Sequence, residues 1–119
     1  MSTAVFPGSF DPVTTGHVDL ICRASRMFDR LVVGVLVNSA KDPLFSQEER
    51  VAMLQEIVKD QDNITVCSFE GLLGDFVRQQ KADAISRGLR ASGDFEYELP
   101  LAQANYKMNQ NADTVFLAT

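Results

Sequence analysis

The chain has 119 residues, 45% hydrophobic and 23% charged, which is the balance of a soluble globular protein and the length of one domain over residues 1–119. A chain of this size buries roughly 65% of the surface its unfolded form exposes, so a core can form without disulfide or metal staples. Eleven Lys and Arg stand against 16 Asp and Glu, a net charge of -5, which argues against nucleic acid or an anionic membrane as the main partner but leaves a small anion open.

Thr3 to Phe6 is a short strand-like run that stops at Pro7-Gly8. Val18, Ile21, Cys22, Ser25 and Phe28 recur at helical spacing and define one face of a first helix. Leu31 to Val37 is apolar at nearly every position, as a strand covered on both faces requires. It is also the longest apolar run, far too short to span a bilayer. Ser46-Gln47-Glu48-Glu49 reads as a capping box that opens a second helix, with Val51, Leu54, Ile57 and Val58 as its buried stripe. Ile64 to Phe69 follows as a third strand, and Leu72, Leu73, Phe76 and Val77 mark a third helix. Ala82 to Ser86 is a short fourth strand, and Phe95 to Met108 is helical in pattern, with a kink or restart expected at Pro100. Thr114 to Ala118 is the last strand. The alternation predicts an α/β, Rossmann-like sandwich with a five-stranded parallel sheet and helices on both faces. Ligands in such folds bind at the carboxyl ends of the strands. Cys22 and Cys67 fit no metal or redox spacing and read as buried free thiols. With no export signal at the start of the chain, a cytoplasmic location is expected.

The segments after the strands carry a selective set of groups. The first holds Gly8, Ser9, Phe10 and Asp11, then Gly16 and His17 at the start of a helix, where free amides and the helix dipole favour a phosphate. His17 is the single histidine. It is either a packed residue or a donor facing an anion, and its position favours the second. Lys41 is the one cation of the second loop, either a solvated lysine or a phosphate contact. Arg87-Gly88-Leu89-Arg90 puts two guanidiniums at a strand's carboxyl end, suited to phosphate oxygens or to ion pairs with Asp83 or Asp94. Neither a P-loop nor a G-x-G-x-x-G fingerprint is present, which argues against P-loop phosphotransfer and nicotinamide chemistry.

Gly8 to Pro12 together with Thr14-Thr15-Gly16-His17 resembles the T/H-x-G-H signature of the nucleotidylyltransferase superfamily. Arg87-Gly88-Leu89-Arg90 followed by Asp94-Phe95-Glu96-Tyr97-Glu98 narrows the resemblance to the bacterial phosphopantetheine adenylyltransferases, as do Leu44 to Arg50 and Thr114 to Leu117. The resemblance implies transfer of AMP from ATP to 4'-phosphopantetheine, giving dephospho-coenzyme A and pyrophosphate. Carried over by motif position, Ser9, His17 and Lys41 would be catalytic, and Ser9, Lys41, Leu73 and Arg87 would hold the acceptor. Ser9, Phe10, His17, Gly88, Leu89, Arg90 and Glu98 would hold ATP. Mg2+, a homohexameric assembly and coenzyme A as a feedback ligand also come with the family. Ser9 stands where many relatives have threonine, Ser86 where they are apolar, and Pro100 where a helix former is usual. Relatives continue beyond the last strand into a serine-rich turn that helps bind ATP; the sequence reaches Thr119 without it, and a C-terminally short domain is the expectation. Two readings follow: an adenylyltransferase, or a catalytically weak nucleotide- or coenzyme A-binding module of the same fold.

Overall fold

Strands apolar on both faces, alternating with helices apolar on one, pack as a sheet between two helical layers. The computed structural model of the chain describes residues 2–38 and 42–119, apart from the Ser92 side chain, and has this arrangement. Its elements run β1 (Thr3–Gly8), α1 (Thr15–Met27), β2 (Arg30–Val37), α2 (Gln47–Val58), β3 (Ile64–Glu70), α3 (Leu73–Gln79), β4 (Ala84–Leu89), α4 (Ser92–Met108) and β5 (Asp113–Ala118). The five strands form one sheet in the order β3-β2-β1-β4-β5, and every neighbouring pair is parallel.

Period-two alternation along β2 builds a core on each face. Leu31, Val33 and Val35 join Ile21, Ala24, Leu54 and Val58 beneath α1 and α2. Val32 points to the other face, with Phe69 of β3 and Phe76 and Val77 of α3. Gly34 sits under Phe69 and Phe76, whose rings stack with centroids 4.4 Å apart. A Cβ at Gly34 would come within 2.7 Å of the Phe76 ring, so a larger residue would force the stacked pair off the sheet.

The register of β1 opens the place for a ligand. Against β2 it pairs over its whole length, from Thr3–Arg30 to Gly8–Val35. Against β4 it pairs only at Ala4–Ala84 and Val5–Ile85, while β4 continues beside β5 to Leu89. The two central strands therefore part at their carboxyl ends, where the strand order reverses and open α/β sheets hold ligands.

Several local expectations need correction. β4 starts and ends later than the apolar run suggests, so Arg87, Gly88 and Leu89 belong to the strand and not to a following loop. Pairing with Phe116 to Ala118 of β5 holds them extended. α4 runs unbroken through Pro100. Pro100 and Glu96 are both exposed, so water can satisfy the Glu96 carbonyl that loses its amide partner, and no restart is needed. In α1 the buried residues are Leu20, Ile21, Ala24 and Ser25, one step around from the expected stripe, with Val18 and Cys22 half-buried. In α2 Leu54 and Val58 are buried, Ile57 is 43% exposed, and Arg50 takes a place in the buried stripe. Leu72 is exposed at the N-cap of α3. Both thiols are free, but half-buried rather than buried. Burial pushes the Cys67 thiol above its ordinary value, with Arg30 opposing. Among the described residues no helix is long and apolar enough to cross a membrane.

Candidate active site

A cavity of about 360 Å3 fills the split between β1 and β4. The β1–α1 segment lines one side through Gly8, Ser9, Phe10 and His17, and β4 with the start of α4 lines the other through Arg87, Gly88, Arg90, Asp94 and Glu98. Seven of the expected site residues thus come together, Ser9, Phe10, His17, Arg87, Gly88, Arg90 and Glu98, beside Gly8 of the same motif. Leu89 lies on β4 but does not line this cavity, and Leu73 packs against the Phe69–Phe76 cluster on the opposite face of the sheet. Lys41 lies outside the described residues.

Phe10 shapes the near wall. It is 2% exposed, and its ring meets that of His17 edge-on at 5.0 Å. Its backbone is left-handed, with φ of +49°, a conformation that costs a side-chain-bearing residue about 1–2 kcal/mol. Strain of this kind persists only where the surroundings over-determine it, and such sites are often functional.

His17 occupies the third position of α1, where glutamate commonly closes a capping box. The Thr14 amide donates to His17 Nδ1 at 3.0 Å, and the His17 amide donates to Thr14 Oγ1 at 3.2 Å. A backbone amide can only donate, so Nδ1 must be the unprotonated nitrogen and the ring proton sits on Nε2. Burial, then the positive charge of Arg90, holds the imidazole below its ordinary pKa of 6.5. The ring is therefore neutral at pH 7 with one N–H left to donate, beside a helix start that favours anions.

The opposite wall departs from the expectation of two free guanidiniums. Arg87 forks onto Glu98, with Nη2–Oε1 at 2.6 Å and Nε–Oε2 at 3.1 Å, and donates through Nη1 to the Pro7 carbonyl at 3.1 Å. This last bond spans the split between β4 and β1. For Arg87 the ion-pair partner is Glu98, carried on α4, and not Asp83 or Asp94; the expected pairing with Asp94 is made by Arg90 instead. Arg90 reaches Asp94 at a loose 3.6 Å, and its side chain is 81% exposed at the mouth. Asp94 accepts the amides of Arg90 and Ala91. Those amides, the Arg90 one first, hold its carboxyl below the usual carboxylate range.

Sequence reasoning assigned no role to two groups that brace the near wall, Arg50 and Asp11. Arg50 is 5% exposed and donates to the Ser9 carbonyl at 2.9 Å. Asp11 accepts the amides of Leu44 and Phe45 at 2.9 Å each. Arg50 was legible in principle, because it lies four and eight residues before the buried Leu54 and Val58 on one helical stripe. Asp11 was not, because its partners lie more than thirty residues away. Among the described residues no group of three or more His, Cys, Asp or Glu side chains is placed to hold a metal ion.

The cytidylyltransferase-like family matches residues 5–119. The phosphopantetheine adenylyltransferase of Lachnoclostridium phytofermentans is 52% identical over 119 residues, which are all of this chain and 73% of that protein. That of Clostridium kluyveri is 53% identical over 117 residues, 98% of this chain and 71% of that protein. Among solved structures, the lipopolysaccharide core biosynthesis protein from Thermoplasma volcanium GSS1 shares the fold, with a TM-score of 0.72, 23% identity, and 98% and 96% of the two chains covered.

Proposed function

The chain belongs to the phosphopantetheine adenylyltransferase family of cytidylyltransferase-like proteins, and we propose that it transfers AMP from ATP to 4'-phosphopantetheine in coenzyme A biosynthesis. A phosphate oxygen of the acceptor attacks the α-phosphorus of ATP, the bond from that phosphorus to the β-phosphate bridge oxygen breaks, and pyrophosphate leaves. Dephospho-coenzyme A is the other product. No covalent enzyme intermediate is required, so catalysis consists of holding two anions in line and stabilising the charge that shifts between them.

The observation that carries this reading is the neutral His17 at the mouth of α1, its Nε2 proton left free by the bond at Nδ1. In the proposed role that proton is donated to an α-phosphate oxygen, with Ser9 and the first amides of α1 alongside. Arg90 and Gly88 meet the nucleotide from the β4 side. Arg87, oriented by Glu98, faces the acceptor phosphate with Lys41, and the pantetheine arm passes over the carboxyl edge of the sheet, out of the cavity, to reach Leu73 at the start of α3. Phe10 and Leu89 support the nucleotide side through the backbone. In this reading Glu98 acts on ATP through Arg87, since both its oxygens are taken by that guanidinium.

The carboxylates near the cavity do not form a magnesium cage. Glu98 is paired with Arg87, Asp11 holds two amides, and Asp94 holds two more. Magnesium is accordingly proposed to enter on the phosphates of ATP, as part of the substrate. The reading also carries a homohexameric assembly and coenzyme A as a feedback ligand. The exposed Phe95, Tyr97, Leu101, Tyr106 and Met108 of α4 are suited to a covered interface. The deciding experiment incubates the protein with MgATP and 4'-phosphopantetheine and follows pyrophosphate and dephospho-coenzyme A by mass spectrometry. Stoichiometric formation of both supports an enzyme. Tight binding of ATP or coenzyme A without product would favour the binding-module reading instead.

A further inference from the structure

The β1–α1 segment is tied to the β2–α2 connection at two points, one on each side of Phe10. On one side, Arg50 donates to three carbonyls: Ser9 at 2.9 Å, Leu36 at the end of β2 at 3.2 Å, and Ser46 at the N-cap of α2 at 3.4 Å. On the other, Asp11 takes the Leu44 and Phe45 amides on its two oxygens. Among the described residues no carboxylate pairs with Arg50, although it is 5% exposed. A buried guanidinium without a counterion is an expensive way to fill a helix stripe that an aliphatic residue would fill as well. What an aliphatic residue lacks is a planar fork able to collect three carbonyls from three segments. Between the two ties sits Phe10, left-handed at φ +49° with its ring against His17. Released at either end, that backbone would relax toward an ordinary φ and carry Ser9 and the His17 ring contact with it.

We propose that Arg50 and Asp11 are positioning residues of the transfer reaction: they clamp the backbone on both sides of Phe10 and so hold Ser9 and His17 in register with the β2–α2 connection. The inference rests on the adenylyltransferase reading above. It assigns neither residue a contact with substrate. The clamp joins the segment that meets the α-phosphate to the one whose sequence carries Lys41. A displacement of about 1 Å between reacting groups lowers a rate by roughly 100-fold.

Arg50→Lys keeps the charge but cannot fork onto three carbonyls, and Asp11→Asn keeps the shape but offers one acceptor oxygen instead of two. In each variant kcat is expected to fall about 10- to 100-fold, with the Kd values of ATP and 4'-phosphopantetheine within about threefold of the parent. Amide exchange at Ser9 to Asp11 is expected to quicken at least about tenfold, while exchange within α2 stays as in the parent. Unchanged kcat in folded variants, or kcat and affinity falling by one common factor, would overturn the proposal. Should Arg50→Lys not fold, the half-exposed Asp11→Asn decides, and its failure to fold would show the network to be scaffold and overturn the clamp. A parent protein without turnover would sink the functional reading alone. Amide exchange would then settle the clamp, with quickening at Ser9 to Asp11 supporting it and unchanged exchange in both variants overturning it.

Discussion

Arg87→Ala is expected to destabilise the protein more than Glu98→Ala, because the two partners are unequally buried. The Glu98 side chain is 11% exposed and that of Arg87 is 32% exposed. Removing the arginine strands a carboxylate with little access to water and also frees the Pro7 carbonyl. Removing the glutamate leaves a guanidinium that water can still reach. Breaking a fully buried pair costs about 3–5 kcal/mol, and an exposed pair is worth 1 kcal/mol at most. The intermediate burial puts Arg87→Ala at about 3 kcal/mol and Glu98→Ala at about 2 kcal/mol, with a coupling energy of about 2 kcal/mol in the double mutant. At roughly 4 °C per kcal/mol, the single variants melt about 12 °C and 8 °C lower. Urea titrations of the four proteins, at one pH and one protein concentration, measure all three quantities. A coupling energy below about 0.5 kcal/mol would show the pair to behave as a solvated surface contact. Glu98→Ala as the costlier change would refute the burial argument.

His17, as the single histidine, gives an unambiguous NMR titration, and its pKa in the free protein is expected below 6.5 because burial and Arg90 depress it. The sign for stability follows from that direction: the His17 contribution is present above pH 6.5, the unfolded value, and is lost as pH falls through the lower folded value. A free-protein pKa at or above 6.5, or stability that rises on acidification through this range, would contradict the Nδ1 assignment. His17→Ala is expected to lower kcat by roughly 100- to 1000-fold while changing the Kd of ATP far less, since its Nε2 proton meets charge that grows in the transition state. Equal losses in both would make it a ground-state ligand. Ser86 Oγ is fully buried and without a partner among the described residues, so Ser86→Ala is expected to stabilise the protein by about 1 kcal/mol in thermal unfolding, and a loss of similar size would reveal a bond to the hydroxyl.

The sequence by itself determined the element order, the parallel α/β class and the carboxyl edge on which the functional groups gather. Apolar period, capping residues and strand-helix alternation are local properties, written in neighbouring residues. The Ser46–Glu49 capping box could be read directly, and both of its bonds form. Tertiary structure decided what those groups do to one another. The sequence shows two arginines near a strand end, but the extension of β4 to Leu89 turns Arg87 toward Glu98 and Pro7. It shows one histidine at a helix start, but the amide beneath Nδ1 selects the tautomer. Neither Arg50 nor Asp11 receives a bracing role from the sequence, because that role depends on the chain bringing Ser9, Leu36, Leu44 and Phe45 to them. The physical reason is range. A charge or a buried fork takes its meaning from partners up to 80 residues away along the chain, whereas a periodic pattern needs only the next turn.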